Sequence, residues 1–588
     1  MTQDDQSADQ SQQPEPPPPA IPETIQTPGA QKPRKLRLKW LFLLWTPVAA
    51  AFGLFYYFNQ TEFVIDTLNV KFDESTFSFL SVYLLLPLTL VLTLFWWTFL
   101  SGVSWRGWFV GLVLVAAAGG GLAASVRVES FEGDMFPRLA WRWDPTSEDL
   151  ARAAKGAREK SDLEVSERTL TISEDDWPEF RNDDREGHVL NVQLDRDFEA
   201  HPPEELWRIK VGLGWSSFSI VDDLCWTQEQ LGDEELVVCY ELETGKEVWT
   251  HADKTRWSEP VGGDGPRGTP TISDGKAYTL GGTGLLNCLN ALTGELIWQR
   301  NILEDAGADN VQWAMSGSPL VVDKMVVVNA GIAKADLEKD PKQRQSDKAV
   351  IAYDKLTGEM IWAQGKYPAS YAGVHVAELD GQQSLIVYDG NGVAGVDPAD
   401  GRELWRFEWS NMPKVNAVQP IARDNQVFIS SSYNKGSVLL NVNRTEDAWS
   451  VEPEWEKKNF FKLKFNDGVY KDGYIYGLDE TLMSCIEMKS GRRMWKARSD
   501  TGFGQLILVG DTLVIITEQG ELVFADATPE EWRELYRLPV MDGKTWNNPA
   551  FARGYLIVRN YEEAVCLKLK LAEEPPQVAE SEEADTEE

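Results

Sequence analysis

The sequence predicts an all-β protein, an eight-bladed β-propeller of four-stranded antiparallel blades, preceded by three transmembrane α-helices. Three observations lead to this prediction: a tryptophan-marked segment that recurs along the chain, a second recurring segment ahead of it, and three apolar stretches before residue 126. The 24 tryptophans and 46 glycines among 588 residues also favour a body rich in strands and turns.

The tryptophan-marked segment aligns in five copies without gaps, each a strand, a glycine turn and a second strand with Trp at a fixed place. The copies are CYELETGKEVW, CLNALTGELIW, AYDKLTGEMIW, GVDPADGRELW and CIEMKSGRRMW, which end at Trp249, Trp298, Trp362, Trp405 and Trp495. Weaker copies end at Trp207 and Trp455 and cover 532–535. Most intervals are 40 to 50 residues, the length of a four-stranded blade. We predict eight blades, with seven as the alternative because the copies near 455 and 535 are degenerate.

The second recurring segment is a short apolar strand that ends in a tight turn. Four copies contain a proline, at Pro270, Pro319, Pro420 and Pro549, and four copies without it cover 217–222, 373–381, 466–473 and 504–511. Proline at the first residue of a strand forfeits no ladder bond, so these segments fit the innermost strands beside the channel. We expect the strand at 206–211 to close the ring against 555–570 and so remove an exposed sheet edge.

The three apolar stretches cover 38–58, 79–100 and 108–125, each near the roughly 20 residues that a membrane-spanning helix needs. Basic residues from Lys32 to Lys39 precede the first stretch, whereas the connection 59–78 is acidic. This asymmetry predicts a cytoplasmic N-terminus and a propeller outside the cytoplasm, in the periplasm where there are two membranes. The predicted location is therefore the inner membrane.

The remaining segments are polar. Residues 1–37 and 571–588 are expected to be disordered because they cannot bury enough apolar surface to offset their ordering entropy. Residues 126–174 are predicted to be a stalk with a short helix from about 145 to 160, which could pack on the propeller or lie on the membrane. The charged run 334–348 lies in the one long interval and predicts a surface insertion. The propeller is expected over 175–570.

Charge and motifs exclude several functions. The net charge of −35 argues against nucleic acid as a partner. The four histidines show no metal-ligand spacing, so no metal site is predicted. No catalytic motif is present, and the sequence leans away from an enzyme. Cys239, Cys288 and Cys485 stand ten positions before a marker Trp, in a slot that other copies fill with Ala or Gly, so the cysteines are interpreted as small buried residues. Cys225 and Cys239 also lie symmetrically about Gly232 and could form a cross-strand disulfide.

Two sets of residues are singled out by position. The marker indoles are predicted to pack between neighbouring blades and to donate their N–H groups to backbone carbonyls; they are Trp207, Trp249, Trp298, Trp362, Trp405, Trp455 and Trp495. Residues at or just ahead of the innermost strands are candidates for a ligand site at the channel mouth, or for groups that only satisfy strand ends. These are Trp215, Ser216, Arg267, Thr269, Ser316, Ser318, Tyr371, Asn416, Gln419, Asn466, Gln505, Trp546 and Asn547.

The glycine-turn and tryptophan repeats resemble the quinoprotein-like repeat of pyrroloquinoline quinone (PQQ) dehydrogenases and of the BamB-type assembly lipoprotein. The resemblance covers about 400 residues, and Asp176-Trp-Pro-Glu-Phe-Arg181 resembles the lead-in to such propellers. The dehydrogenases hold PQQ between a Trp and a disulfide of adjacent cysteines, with Ca2+ bound by Glu, Asn and Asp. Here no two cysteines are adjacent and no Cys-x-x-Cys-His motif occurs. No cofactor is therefore predicted, and PQQ with Ca2+ is the alternative.

Three functions follow as hypotheses. The first is a non-catalytic scaffold, tethered in the membrane, that offers the propeller to envelope proteins. The second is a PQQ-dependent membrane dehydrogenase. The third is a propeller that binds a small polar ligand in its channel. The multi-span anchor and the absence of catalytic motifs favour the scaffold.

Overall fold

The computed structural model describes residues 37–60, 81–131, 137–165, 168–445 and 448–572. The chain divides into two compact units, Met1–Leu122 and Ala123–Glu588. The predicted disordered head and tail lie outside the described residues except at their inner boundaries.

The first unit is helical. Helices cover Leu38–Gln60, then Ser81–Leu100, with π-helical turns at Ser81–Leu85 and Trp96–Leu100, and then Trp105–Ser125. Two stretches among the described residues are long and apolar enough to cross a membrane, Tyr83–Leu100 and Trp105–Ser125, whereas the first helix has a shorter apolar part, Leu38–Ala50. The prediction of three membrane spans is therefore not confirmed.

The second unit is an eight-bladed propeller, which decides between the eight and seven blades that the repeats allowed. Each blade is a four-stranded antiparallel sheet. From the innermost strand outward, blade 1 comprises Ser219–Val221, Leu224–Leu231, Glu234–Glu241 and Glu247–Asp253, and blade 2 comprises Thr271–Ser273, Lys276–Leu280, Leu285–Asn290 and Leu296–Asn301. Blade 3 comprises Leu320–Val322, Met325–Asn329, Val350–Asp354 and Met360–Gln364, and blade 4 comprises His375–Leu379, Gln382–Tyr388, Gly392–Val396 and Glu403–Glu408.

Blades 5 to 8 follow the same order. Blade 5 comprises Ile421–Arg423, Gln426–Ser431, Gly436–Arg444 and Trp449–Lys458, and blade 6 comprises Val469–Lys471, Tyr474–Asp479, Leu482–Glu487 and Arg492–Ala497. Blade 7 comprises Gln505–Val509, Thr512–Ile516, Glu521–Asp526 and Glu534–Pro539, and blade 8 comprises Ala550–Ala552, Tyr555–Arg559, Glu563–Lys568 and Glu204–Lys210. The last strand confirms the predicted closure, because Glu204–Lys210 pairs with Glu563–Lys568. A short strand, His188–Val189, also pairs in parallel with the innermost strand of blade 7.

The marker indoles connect each blade to the next. Six of them donate Nε1–H to a backbone carbonyl of the following blade. The pairs are Trp207 with Leu242, Trp249 with Ala291, Trp298 with Lys355, Trp362 with Pro398, Trp455 with Met488 and Trp495 with Thr528. Five of these indoles also lie against the glycine of that blade's turn, where a Cβ atom would clash with the ring: Gly245, Gly294, Gly358, Gly401 and Gly491. The repeat therefore needs glycine both for its positive φ and for the indole above it.

Two blades depart from this pattern. The Trp405 Nε1 has no hydrogen-bond partner among the described residues, since blade 5 replaces the glycine turn with the long strands Gly436–Arg444 and Trp449–Lys458. In blade 7 the strand register places Tyr536 in the marker position, opposite Phe524. Trp532 instead contacts Trp495 from the preceding loop, with ring centroids 5.8 Å apart. The degenerate copy near 535 is thus a true blade with a substituted aromatic.

A β-bulge interrupts the outermost strand of all eight blades, at the residue before the marker position. In blade 2, for example, Cys288 faces Trp298 and Leu289 faces Leu296, so Ile297 is the extra residue. Bulges disturb the hydrogen-bonding edge and hinder the pairing of another strand.

The stalk lies against the propeller. It contains a hairpin of Val126–Phe131 with Pro137–Trp141 and the helix Ser147–Ala157, which Thr146 and Asp149 cap. After the helix, Arg158 donates to the Tyr240 hydroxyl at 2.7 Å and lies 3.5 Å from Glu229 in blade 1. Of the two placements that the sequence allowed, the structure has the stalk on the propeller.

The strand register separates Cys225 from Cys239. Cys225 faces Tyr240 and Cys239 faces Trp226, so the two thiols point to opposite faces of blade 1. All five cysteines are buried and free. The cross-strand disulfide that was left open is therefore absent.

Candidate functional site

The lead-in segment Asp176–Val189 crosses the propeller axis. It contacts the innermost strand, or the residues just before or after it, in all eight blades. Trp177 exchanges two backbone hydrogen bonds with Ile220 of blade 1, and the Pro178 carbonyl accepts from Ile272 of blade 2. The contacts with the other six blades come from the side chains of Arg181, Arg185 and Glu186 and from the Gly187 carbonyl. We call this segment the plug.

Arg181 holds one half of the ring. Its guanidinium, completely buried, donates to the carbonyls of Gly468 in blade 6 and Leu506 in blade 7 at 2.8 and 2.9 Å. It also donates to the side-chain oxygen of Asn548 at 3.2 Å, just before blade 8. Burial lowers the pKa of Arg181, and the nearby Asp467 carboxylate opposes that effect. One side chain therefore joins three consecutive blades.

Arg185 holds the opposite half. It donates to the Ser318 and Pro319 carbonyls at blade 3 and to the Val374 carbonyl at blade 4. Its Nε also donates to Glu179, 2.8 Å away within the plug. Burial raises the pKa of Glu179 to about 7, while Arg185 acts in the opposite direction. The plug thus has an internal ion pair that fixes the second guanidinium.

Three potential metal ligands lie together at the end of the plug. Asp184, Glu186 and His188 place ligand atoms within 4.8 Å of one another. The His188 Nε2 already lies 2.7 Å from Asp184, and Glu186 binds Arg423 of blade 5 through both oxygens. These side chains are engaged with one another, so we assign no metal to them. The predicted absence of a metal stays a prediction.

Aromatic side chains surround the mouth of the propeller beyond the plug. Trp215 and Trp546 are 5.2 Å apart by ring centroid, and Trp546 contacts Phe465 at 4.7 Å. The Lys544 ammonium lies over both indoles, 4.0 Å from Trp546 and 4.8 Å from Trp215, and donates to the Phe131 carbonyl of the stalk hairpin. The structure therefore brings two of the predicted mouth residues together, with a cation covering their faces.

Arg267 and Tyr371 are bound to neighbouring loops. Arg267 donates to the Gly263 and Gly265 carbonyls of its own loop, and burial lowers its pKa to about 10. The Tyr371 hydroxyl accepts from the Trp313 backbone N–H at 3.3 Å. The polar groups of both residues are occupied by these contacts, and a role of either residue in ligand binding stays a prediction.

Most of the hydroxyl and amide candidates link strand ends. Ser318 accepts from the Thr269 N–H, Thr269 accepts from the Ser217 N–H, and Ser316 donates to the Tyr371 carbonyl. Four more side chains donate to backbone carbonyls: Ser216 to Ser217, Asn416 to Asp389, Gln505 to Phe465 and Asn547 to Ser216. The Asn466 side chain accepts from the Lys464 N–H. The Gln419 backbone N–H donates to Asp467, while its side-chain amide has no partner among the described residues. A role of this set in ligand binding stays a prediction.

The cofactor of the PQQ dehydrogenases does not match these residues. Every cysteine lies in the second or third strand of its blade rather than beside the axis. The plug and its two arginines occupy the axis instead. A donor set of adjacent cysteines, which that cofactor would need, is not present. The absence of a cofactor remains a prediction.

Sequence reasoning missed the residues that fill and cover the centre. Arg181 and Arg185 fill the axis, while Lys544 and Phe465 contact Trp546, and Tyr561 contacts Trp215 with ring centroids 5.1 Å apart. The only available signal was the Asp176-Trp-Pro-Glu-Phe-Arg181 lead-in, because these residues belong to no repeat. A buried segment with two arginines outside the blades has no periodicity that would indicate its partners.

The outer edge of blades 2 and 3 exposes apolar side chains. Leu296, Ile297, Met360 and Ile361 lie on the outermost strands, and Leu356 lies in the blade 3 turn below Trp298; they are 37–56% exposed. The two strands are neighbours because Trp298 donates to the Lys355 carbonyl of that turn. Among the described outer strands of the other blades, Leu206 is the one comparably exposed large apolar residue. We call these five residues the apolar rim.

Comparison with known proteins identifies the repeats. The family profile described as "Outer membrane protein assembly factor BamB" matches residues 233–496, from blade 1 through blade 6. The matched repeats are of the PQQ-like type. The apolar rim lies within the matched part of this PQQ-like propeller.

Individual relatives are distant. Tetrathionate hydrolase of Acidithiobacillus ferrooxidans is 21% identical over 192 residues, which are 31% of this chain and 36% of that protein. The chain thus spans about a third of that relative's length. The PQQ-like propeller is similar to quinohemoprotein alcohol dehydrogenase ADHIIG of Pseudomonas putida HK5, at 13% identity and a TM-score of 0.48 over 68% of this chain and 80% of that one. The corresponding enzyme of Comamonas testosteroni has 13% identity and a TM-score of 0.41 over 71% and 84%.

Proposed function

We propose that the protein is a membrane-anchored scaffold of the cell envelope that binds other proteins through the apolar rim. The observation that carries this proposal is the concentration of exposed apolar residues on two adjacent blades. Isolated exposed apolar residues are ordinary, whereas several of them on the outer strands of two adjacent blades are typical of a binding surface. The description of the matching family as an assembly factor is consistent with this role.

The partner binds through side chains rather than as an added strand. Ile297 and Ile361 are the bulge residues of their strands, so neither outer strand offers a continuous row of backbone groups. A bulged edge hinders strand addition, while it turns an apolar side chain outward. The partner is therefore expected to present an apolar surface that covers the rim.

The anchor is proposed to have three spans. In this arrangement 38–58 crosses the membrane together with Tyr83–Leu100 and Trp105–Ser125. The basic residues before the first span support a cytoplasmic N-terminus, and three crossings place the propeller outside the cytoplasm, at the inner membrane. Reporter fusions after residue 60, residue 103 and residue 572 test this topology, and a cytoplasmic signal from the last fusion would contradict it.

Photo-crosslinking in native membranes tests the scaffold. A photoreactive amino acid replaces Ile297 or Ile361, and in the controls it replaces Leu404 or Met494, the bulge residues of blades 4 and 6. We expect discrete cross-linked species at the two rim positions and none at the controls. The cross-linked proteins are then identified by mass spectrometry.

A charge test complements the cross-linking. The variant Ile297→Glu/Ile361→Glu should lose the co-purifying proteins, whereas Leu404→Glu/Met494→Glu should keep them. Equal recovery in both variants, or isolation of the native protein from its membrane without any bound protein, would rule out the rim as a docking surface.

A further inference from the structure

The charged insertion 334–348 forms one wall of a cleft between blades 3 and 4. The insertion contains short 3-10 turns at Lys334–Asp336 and Pro341–Gln343. The buried Asp336 carboxylate organises it by accepting the N–H groups of Gln345 and Ser346. Arg344 fastens it to blade 3 by donating to the Lys366 carbonyl at 2.7 Å. The wall is therefore ordered.

The cleft has a volume of about 590 Å3, within the range of small-molecule sites. Its apolar wall consists of Ala349 and Val350 from blade 3 and Val387 and Val396 from blade 4. These side chains belong to the packed interface of the two blades and are nearly fully buried, so they form the floor of the cleft. The apolar body of an occupant would contact this floor.

The opening of the cleft is cationic. The residues that line it are Lys342, Lys366, Arg402 and Arg406 together with three carboxylates, two of which are already paired with Arg406. Asp389 and Glu403 both bind Arg406, at 2.8 and 2.7 Å, while Asp400 lies 4.0 Å from Arg402.

The two lysines lack such partners. Among the described residues neither the Lys342 nor the Lys366 ammonium has a carboxylate within 4.0 Å. Both lysines are exposed. In a chain of net charge −35, two cations without counter-ions beside an apolar cavity mark a place where an anion is favoured.

Tyr367 forms an aromatic wall of the cleft, and charged side chains hold its ring in place. The Arg406 guanidinium lies 3.4 Å from the centroid of the Tyr367 ring, and Arg344 lies 5.7 Å from it. Asp389, nearly fully buried, fixes Arg406 from the other side. The shape of the cleft is therefore set before an occupant enters, which lowers the entropic cost of binding.

We propose that this cleft binds a small organic anion with an apolar body, whose anionic group pairs with Lys342 and Lys366 and whose body lies on Val350, Val387 and Val396. The site is independent of the apolar rim and of the scaffold role. No bond is made or broken there.

Photoaffinity labelling of the full chain in lipid nanodiscs tests the site. The probe is decanoate that carries a mid-chain diazirine, and the labelled peptides are mapped by mass spectrometry. We expect labels within 341–367 and 387–406 that excess decanoate removes and decanol does not. Removal by decanol as effectively as by decanoate would overturn the requirement for an anion, and labels confined to other segments would overturn the site.

Charge-reversal variants provide the matched control. Lys342→Glu/Lys366→Glu should lower labelling of the cleft about tenfold, since each lost ion pair at an exposed site contributes up to about 1 kcal/mol. Lys324→Glu/Lys458→Glu changes the net charge equally at exposed lysines outside the cleft and should leave labelling unchanged. Equal labelling of the two variants would contradict the proposal, provided that their thermal unfolding midpoints match that of the native chain.

Discussion

Replacing Arg185 by Met tests whether the plug stabilises the ring. The substitution removes the ion pair with Glu179 and the hydrogen bonds to the Ser318, Pro319 and Val374 carbonyls. Hydrogen bonds to charged groups contribute about 1.5–3 kcal/mol each, but they are not additive. Breaking a buried ion pair by removing one partner costs about 3–5 kcal/mol, and we expect a loss of that size in the free energy of unfolding.

The loss should depend on pH through Glu179. Burial raises the pKa of this carboxyl, and without Arg185 nothing in the plug opposes burial. A carboxyl with a folded-state pKa above its unfolded value favours the protonated form, so stability falls as pH rises from the unfolded pKa through the folded one. The deficit of the variant should therefore be larger at pH 8 than at pH 5.

Urea unfolding followed by tryptophan fluorescence measures both effects. Adding Glu179→Gln to Arg185→Met removes the unpaired carboxylate and should recover part of the loss at pH 8. Arg402→Met, at an exposed ion pair with Asp397, should cost at most about 1 kcal/mol. A loss below about 1 kcal/mol for Arg185→Met, or a double variant no more stable than the single one, would refute the reasoning.

Three further predictions concern the blades. Gly401→Ala should lower the free energy of unfolding by about 2–5 kcal/mol, because a Cβ would lie 2.5 Å from the Trp362 ring and φ is +75°. The control Gly381→Ala, with φ +71° and no neighbouring atom within 4 Å, should lower it by only about 1–2 kcal/mol. Calorimetry measures both losses. Trp362→Phe should cost about 1 kcal/mol more than Trp405→Phe in urea unfolding, since only the first indole has a hydrogen bond to lose. Burial raises the pKa of Glu235 to about 7 from 4.5, so the native chain should lose stability between pH 4.5 and 7, and Glu235→Gln should flatten that dependence in pH-resolved thermal unfolding.

The repeats predicted the propeller because each blade repeats one local solution. The glycine turn, the marker indole and the proline before the inner strand recur at blade spacing, and each of these features indicates the position of the strand next to it. The count was ambiguous where the copies are degenerate, near Trp455 in blade 5 and at Tyr536 in blade 7, whose role depends on the register with Phe524. The closing strand followed from the need to pair the last sheet edge.

The centre of the molecule could not be predicted in the same way. Arg181 and Arg185 bind carbonyls more than a hundred residues away, and no local pattern encodes such contacts. The amides at the mouth were chosen by position, yet the side-chain amide of Asn547, for example, donates to the backbone carbonyl of Ser216. The cleft depended on how the insertion folds, for which its charge gave only a surface location.

The plug also bears on the order in which the molecule can be completed during synthesis. Asp176–Val189 leaves the ribosome before any blade, but its partners include residues from Ile220 to Asn548. The outer strand of blade 8, Glu204–Lys210, likewise waits for Glu563–Lys568. Both segments that complete the ring are synthesised first and make their last contacts only when blade 8 exists, so a chain truncated before residue 548 retains two N-terminal segments whose final partners are missing.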